Sequence, residues 1–274
     1  MGLMHVSTNS FNAVAPGQRA TLDLPTRKFK YHQIRLVYGT GTAGGPTRAN
    51  IEAELTRIAI AVNGKEQQVF SAAQLLRLHE FRGRTFHAGH VPLFLANPWM
   101  KTPPGQDALG WGTADVQTLQ VTVDIAAGAT APTLKAMVAV EEREEAMSAI
   151  AKFRRLTLPV TAVGLQTFTS LPRDDNFAAI WLFPAASADI NEARVLVDQR
   201  EVFKATRTEN DAWLEDLVPD WTAPAGAFWP LVFNPQGRVT EPLITRGSSE
   251  FRLELDMAVA NSPTALIEVY GLRD

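Results

Sequence analysis

Alternation of apolar and polar positions is the strongest signal in the chain. Residues 117–125, QTLQVTVDI, place Leu119, Val121, Val123 and Ile125 on one face with polar residues between them. Residues 249–257, SEFRLELDM, do the same with Phe251, Leu253, Leu255 and Met257. A period of two is what a strand with one buried face requires. Further strands are predicted over Thr21–Leu24, His32–Tyr38, Arg57–Val62, Gln67–Phe70, Val91–Leu95 and Leu134–Val140. The second half adds Ala178–Phe183, Ala193–Val197, Glu201–Phe203, Pro230–Phe233 and Ala265–Tyr270. Asn63-Gly64 between two such runs signals a hairpin, since both residues tolerate positive φ. Many short strands separated by turns point to sandwiches or barrels.

Helices are few and short. Ser71 caps a predicted one through Gln74, Leu75, Leu76 and Leu78, ending near Gly83. A second covers Glu209–Leu217, with Trp213, Leu214 and Leu217 as its buried stripe. The run Glu141–Arg155, EEREEAMSAIAKFRR, has acids early and bases late, the order a helix dipole favours, and reads as a connector between two halves.

Those halves resemble each other. Each runs through a Leu-Pro, a strand, a loop, a hairpin, a short helix and a Pro-Leu strand. Pro25 maps to Pro172, 147 residues later, and Val69-Phe70 to Val202-Phe203, 133 later. Pro92-Leu93 maps to Pro230-Leu231, 138 later, and Leu119 to Phe251, 132 later. Four matches in preserved order on matching element types imply two similar β-domains in tandem.

Composition narrows the function classes. At 274 residues with 46% hydrophobic and 20% charged positions, the chain folds around a sizeable core rather than remaining disordered. A net charge of −3 disfavours charge-driven nucleic-acid binding. The absence of cysteine excludes disulfides, thiolate metal sites and a cysteine nucleophile, and suits a protein made in a reducing cytosol and used outside it. No apolar run approaches the roughly 20 residues of a membrane span, and MGLMHVSTNSFN lacks the basic and apolar regions of a secretory signal.

Candidate chemistry is sparse. Gly39-Thr-Gly41-Thr-Ala-Gly44 follows a strand, as a dinucleotide-binding loop does, but the β-α alternation of a parallel sheet is missing, so it reads as an inter-strand loop. His87 and His90, with Asp107 or Asp115, offer metal-ligand types, but their spacing favours turn residues. Glu141–Glu145 and Asp174-Asp175 offer carboxylate oxygens to a hard cation but are read as solvated faces or helix N-termini, and no catalytic signature is present. Trp99 and Trp111 bracket one loop rich in Pro and Gly, and Trp221 and Trp229 another at the equivalent place. Such loops are either interface or a lid on their own barrel. The four tryptophans are therefore the candidate interface residues.

With these features the chain resembles the double jelly-roll major coat proteins of tailless icosahedral viruses with an internal membrane, most nearly the corticovirus type. The likeness is carried by FNAVAPGQRATLDLP and YHQIRLVYG, by RIAIAVNGKEQQVFSAAQLLRL, by TSLPRDDNFAAIWLFPAA with EARVLVDQREVFKAT, and by the closing ALIEVYGL. It implies an all-β fold of two tandem jelly-roll barrels with a few short helices: residues 1–143 with an N-terminal arm to about Phe11, a connector over 144–156, and 157–274. It further implies a structural, non-enzymatic protein of the virion shell, made in the host cytoplasm. Its expected partners are two further copies in a trimer of pseudo-hexagonal outline, neighbouring capsomers, and vertex or membrane proteins. No catalytic residue or cofactor is expected; structural calcium is known in the family, with no ligands assignable here. A tandem β-sandwich that binds carbohydrate through the four tryptophans is the alternative. A metal-binding bicupin is disfavoured because all five histidines lie at or before His90.

Overall fold

In the computed structural model the described residues are 2–8, 10–218, 226–235, 238 and 240–274. The chain divides into two compact units. One comprises Met1–Glu80, Arg84–Phe153 and Leu272–Asp274, and the other Phe81–Gly83 and Arg154–Gly271.

The first unit carries β1 (Met4–Ser7), β2 (Arg19–Leu24), β3 (Phe29–Gly39), β4 (Leu55–Val62), β5 (Lys65–Phe70), β6 (His90–Phe94), β7 (Trp111–Gly112), β8 (Leu119–Ile125) and β9 (Thr133–Glu142). Helices α1 (Arg48–Glu54), α2 (Ala72–Phe81) and α3 (Pro103–Asp107) lie between them. One sheet runs β1-β9-β3-β6, with β7 also on β3; the other contains β2-β8-β4-β5. Alternation explains the pairing: β8 shows Leu119, Val121, Val123 and Ile125 buried and the residues between them half-exposed. Apart from the β4–β5 hairpin and the pair β6 and β7, sequential strands fall in different sheets, the interleaving of a jelly roll.

β10 (Ile150–Thr157) passes from one unit to the other. The second unit continues with β11 (Gly164–Phe168), β12 (Asn176–Phe183), β13 (Ile190–Val197), β14 (Arg200–Thr206), helix α4 (Arg207–Leu217), β15 (Trp229–Val232), β16 (Phe251–Met257) and β17 (Thr264–Gly271). Its sheets run β10-β17-β12-β15 and β11-β16-β13-β14. Between them lies a core that includes Phe177, Ile180, Val195, Leu231, Phe251, Leu253 and Ile267. Apart from β7, which has no counterpart among the described residues, this repeats the first unit, with β10 in the place of β1 and β14 in the place of β5.

The repeat is tightest around the hairpins. Asn63 and Gly64 turn β4 into β5 with φ of 51° and 80°, and Asp198 and Gln199 turn β13 into β14 with φ of 48° and 67°. The Asn63 carboxamide accepts the amides of Gln117 (2.8 Å) and Thr118 (3.2 Å). The Asp198 carboxylate accepts those of Ser249 (2.7 Å) and Glu250 (3.0 Å). A bulge two residues into the return strand follows in both, at Gln67 and at Val202. Then each helix opens with a reciprocal cap, Ser71 with Gln74 and Thr206 with Glu209. The turn, the bulge and the cap are all offset by 135 residues, and the amides that the turn accepts by 132. The pairing of Val69-Phe70 with Val202-Phe203 is therefore two residues out of register, and Gln67-Gln68 are the true counterparts of Val202-Phe203.

Other expectations are corrected. Glu141–Arg155 is not a helix: Glu141 and Glu142 finish β9, residues 143–149 are irregular, and Ile150 begins β10. Its acids are drawn into ion pairs across the fold, and the Glu145 carbonyl accepts the Ala114 amide (2.9 Å), so tertiary contacts override helix preference. Within the N-terminal segment, Met4–Ser7 pairs with β9 at Met4↔Val140 through Ser7↔Met137. The glycine loop leads into the short α1, capped by Thr47, and then into β4, which runs antiparallel to both neighbours. Trp213 on α4 faces solvent while Leu214 is buried.

Candidate functional site

The loops bracketed by tryptophans pack largely on their own units. Trp111 and Trp229 are 0% and 1% exposed, which makes them core residues and removes them as interface candidates. Gly112 lets this wall close, because a Cβ there would strike the carbonyl oxygens of Glu145 and Ala146. Trp99 is half-buried, edge-on to Phe94 at 5.6 Å with the Arg84 guanidinium 5.5 Å from its ring centroid. Trp221 lies outside the described residues.

The first loop is fastened by charge. Lys30 on β3 is buried, and its ammonium donates to Asp107 (2.8 Å) and Glu145 (3.1 Å). Arg143 pairs with Glu145 at 2.9 Å and reaches Asp107 at 3.5 Å. His32 Nε2 stands 3.7 Å from Asp107 and 4.0 Å from Glu141. Burial lowers the His32 pKa, partly opposed by the Asp107 carboxylate, so the ring is neutral at neutral pH. His32, Asp107 and Glu141 are the metal-ligand types brought together among the described residues. They do not fit calcium, which takes six to eight oxygens, whereas this group offers one nitrogen and carboxylates already engaged by Lys30 and Arg143. Asp107 and Asp115 are not gathered with the other histidines: His87 and His90 form a turn closed by a 3.0 Å backbone bond, and Asp115 holds the Met147 amide (2.9 Å) and Arg273 (2.9 Å).

In the second unit a different feature stands out. A groove of about 850 Å³ runs beside β14, lined by Val202, Phe203, Trp213, Phe233, Leu243 and Ile244. Val202, Trp213 and Ile244 are 37%, 42% and 71% exposed. Clustered exposed apolar groups of this kind mark contact surfaces. The sequence pattern missed it because Trp213 was placed inward and Ile244 belongs to no regular element. The 135-residue hairpin register would have flagged Val202 as the apolar replacement of a glutamine. Among the described residues, no helix is long and apolar enough to cross a membrane.

Comparison with known proteins agrees with this architecture. Residues 5–141 match the family described as viral coat protein P2 N-terminal domain, and residues 150–272 match viral coat protein P2 C-terminal domain. The fold is similar to the major capsid protein P2 of bacteriophage PM2, with a TM-score of 0.86 at 20% identity over 100% of this chain and 98% of that one. It is also similar to the major capsid protein of Sulfolobus Turreted Icosahedral Virus, TM-score 0.72 at 13% identity over 99% and 97%. The PBCV-1 virus capsid protein gives 0.68 at 10% over 100% and 96%. No curated protein sequence matches. Two jelly rolls in tandem, each matched by its own coat-protein domain, place this chain in the viral coat protein P2 family, as a structural capsid protein rather than an enzyme.

Proposed function

We propose that this coat protein builds the virion shell as a homotrimer whose six jelly rolls give a pseudo-hexagonal capsomer. The observation that carries the reading is the duplication itself. Three copies of a chain with two equivalent domains present six similar units around a threefold axis, an outline that tiles a shell by lateral contact. Open edge strands and an apolar groove supply the surface such contacts need. Vertex or membrane proteins of the virion are its further partners. The carbohydrate-binding alternative loses its aromatic platform, because Trp111 and Trp229 are buried in their own units. Light scattering at low and high concentration, with and without calcium, tests the reading. The expected result is a species near three times 30.0 kDa; a monomer at every concentration overturns it.

A further inference from the structure

Equivalent edges of the two units are treated differently. In the first unit β5 is not left open. Phe153 of β10 pairs with Gln68 in parallel, the Gln68 carboxamide donates to the Ala151 carbonyl (2.8 Å), and the rings of Phe70 and Phe153 meet at 4.7 Å. The C-terminal residues complete the cover, with the Asp274 amide on Gln67 (3.2 Å). Gln67 and Gln68 are each 1% exposed. In the second unit β14 occupies the same position and ends its sheet with no further strand among the described residues. Its Val202 and Phe203 stand where Gln67 and Gln68 stand, and Trp213 stands where Leu78, 1% exposed, does. An edge strand with bare apolar neighbours is a site for strand addition.

The repeat also indicates what is added. β10, which covers β5, is the outer strand of the sheet β10-β17-β12-β15, and its counterpart in the first unit is β1, the outer strand of β1-β9-β3-β6. Among the described residues β1 likewise pairs on one edge only, and its Val6 is 45% exposed. We propose that β1 of a second copy lies along β14, parallel to it, as β10 lies along β5, with Val6 entering the groove lined by Val202, Trp213 and Ile244. The contact joins two different surfaces, so it propagates head to tail, and three copies close it into a ring of six units. This proposal rests on the coat-protein assembly proposed above and assigns the surfaces that make it.

The cysteine-free chain makes the test direct. Val6→Cys and Val202→Cys are introduced together and singly, and the assembled protein is treated with a short bismaleimide. The double variant is expected to give covalent dimers and trimers on denaturing gels, and each single variant none. In parallel, Ile244→Glu is expected to shift the light-scattering mass to the monomer with an unchanged circular dichroism spectrum. Assembled protein that yields no cross-link in the double variant overturns this pairing and leaves trimer formation standing. Dimers from Val202→Cys alone overturn it in favour of a symmetric contact. A wild-type chain that stays monomeric overturns both this pairing and the assembly.

Discussion

The two hairpins of this chain share a turn, a bulge and a helix cap at one constant offset, yet among the described residues one return strand is covered by a further strand and the other is not. β5 carries two glutamines with β10 beside them; β14 carries Val202 and Phe203 beside an open groove. Features that set the path of the chain are kept in both copies, because a hairpin with the wrong turn loses its register and exposes its core face. Features at the edge have diverged, because β10 covers β5 whereas no strand among the described residues covers β14. The difference teaches that duplication preserves the frame of a jelly roll and specialises its edges.

The strongest way to break the comparison is through the cores. Trp111→Ala and Trp229→Ala are each expected to cost about 3–5 kcal/mol, since both rings are fully buried and their loss leaves a cavity. Chemical denaturation of the two variants checks this, and a loss below about 1 kcal/mol in either would place that ring outside the core. Next comes the ion-pair network that the first unit uses to hold its loop. Lys30→Met is expected to cost about 1–3 kcal/mol, because it leaves Asp107 and Glu145 without their buried cation. Thermal melting reads this, and an unchanged midpoint would show that Arg143 alone suffices.

The smallest effects sharpen the comparison at the turns. Asn63→Ala is expected to cost about 1 kcal/mol, through loss of two amide contacts and a positive φ that alanine tolerates poorly. Asp198→Ala destabilises in the same direction, but here the effect depends on pH. Hydrogen bonds from the Ser249 hydroxyl and from backbone amides, that of Glu250 foremost, hold the Asp198 carboxyl below its ordinary 3.8. A folded-state value below the unfolded one contributes stability that is complete above pH 3.8 and lost as pH falls through the folded value. The melting difference between wild type and Asp198→Asn should therefore shrink as pH drops from neutral into that range. A difference that stays constant would mean that the charge contributes nothing. Asn63 does not titrate, so its variant keeps a constant difference over the same interval.

Much of the fold was legible because a half-buried strand writes its period into the chain: every strand read from alternation is present, with ends that differ by up to four residues in total. The elements missed are those where that period is absent or overruled. β7 is two residues long, β1 and β11 are short edges, and β10 begins inside a run whose Glu and Ala favour helix. The turn Asn63-Gly64 announced itself, whereas Asp198-Gln199 adopts the same angles without a glycine, because Ser249 and Glu250 hold it. The tryptophan loops were legible as special, but not as interior. Lys30, Asp107 and Glu145 meet across separations of 77 and 115 residues that no local pattern joins.

By itself, then, the sequence determined an all-β chain of two similar halves, capped short helices and no catalytic signature, since periodicity, turn chemistry and residue inventory are local properties. Only the tertiary structure decided that the acidic run spans a strand end rather than a helix, that Trp111 and Trp229 turn inward, and that β14 ends its sheet among the described residues. Each of those outcomes depends on which surfaces the folded chain covers, and burial is a property of the whole arrangement rather than of any stretch within it.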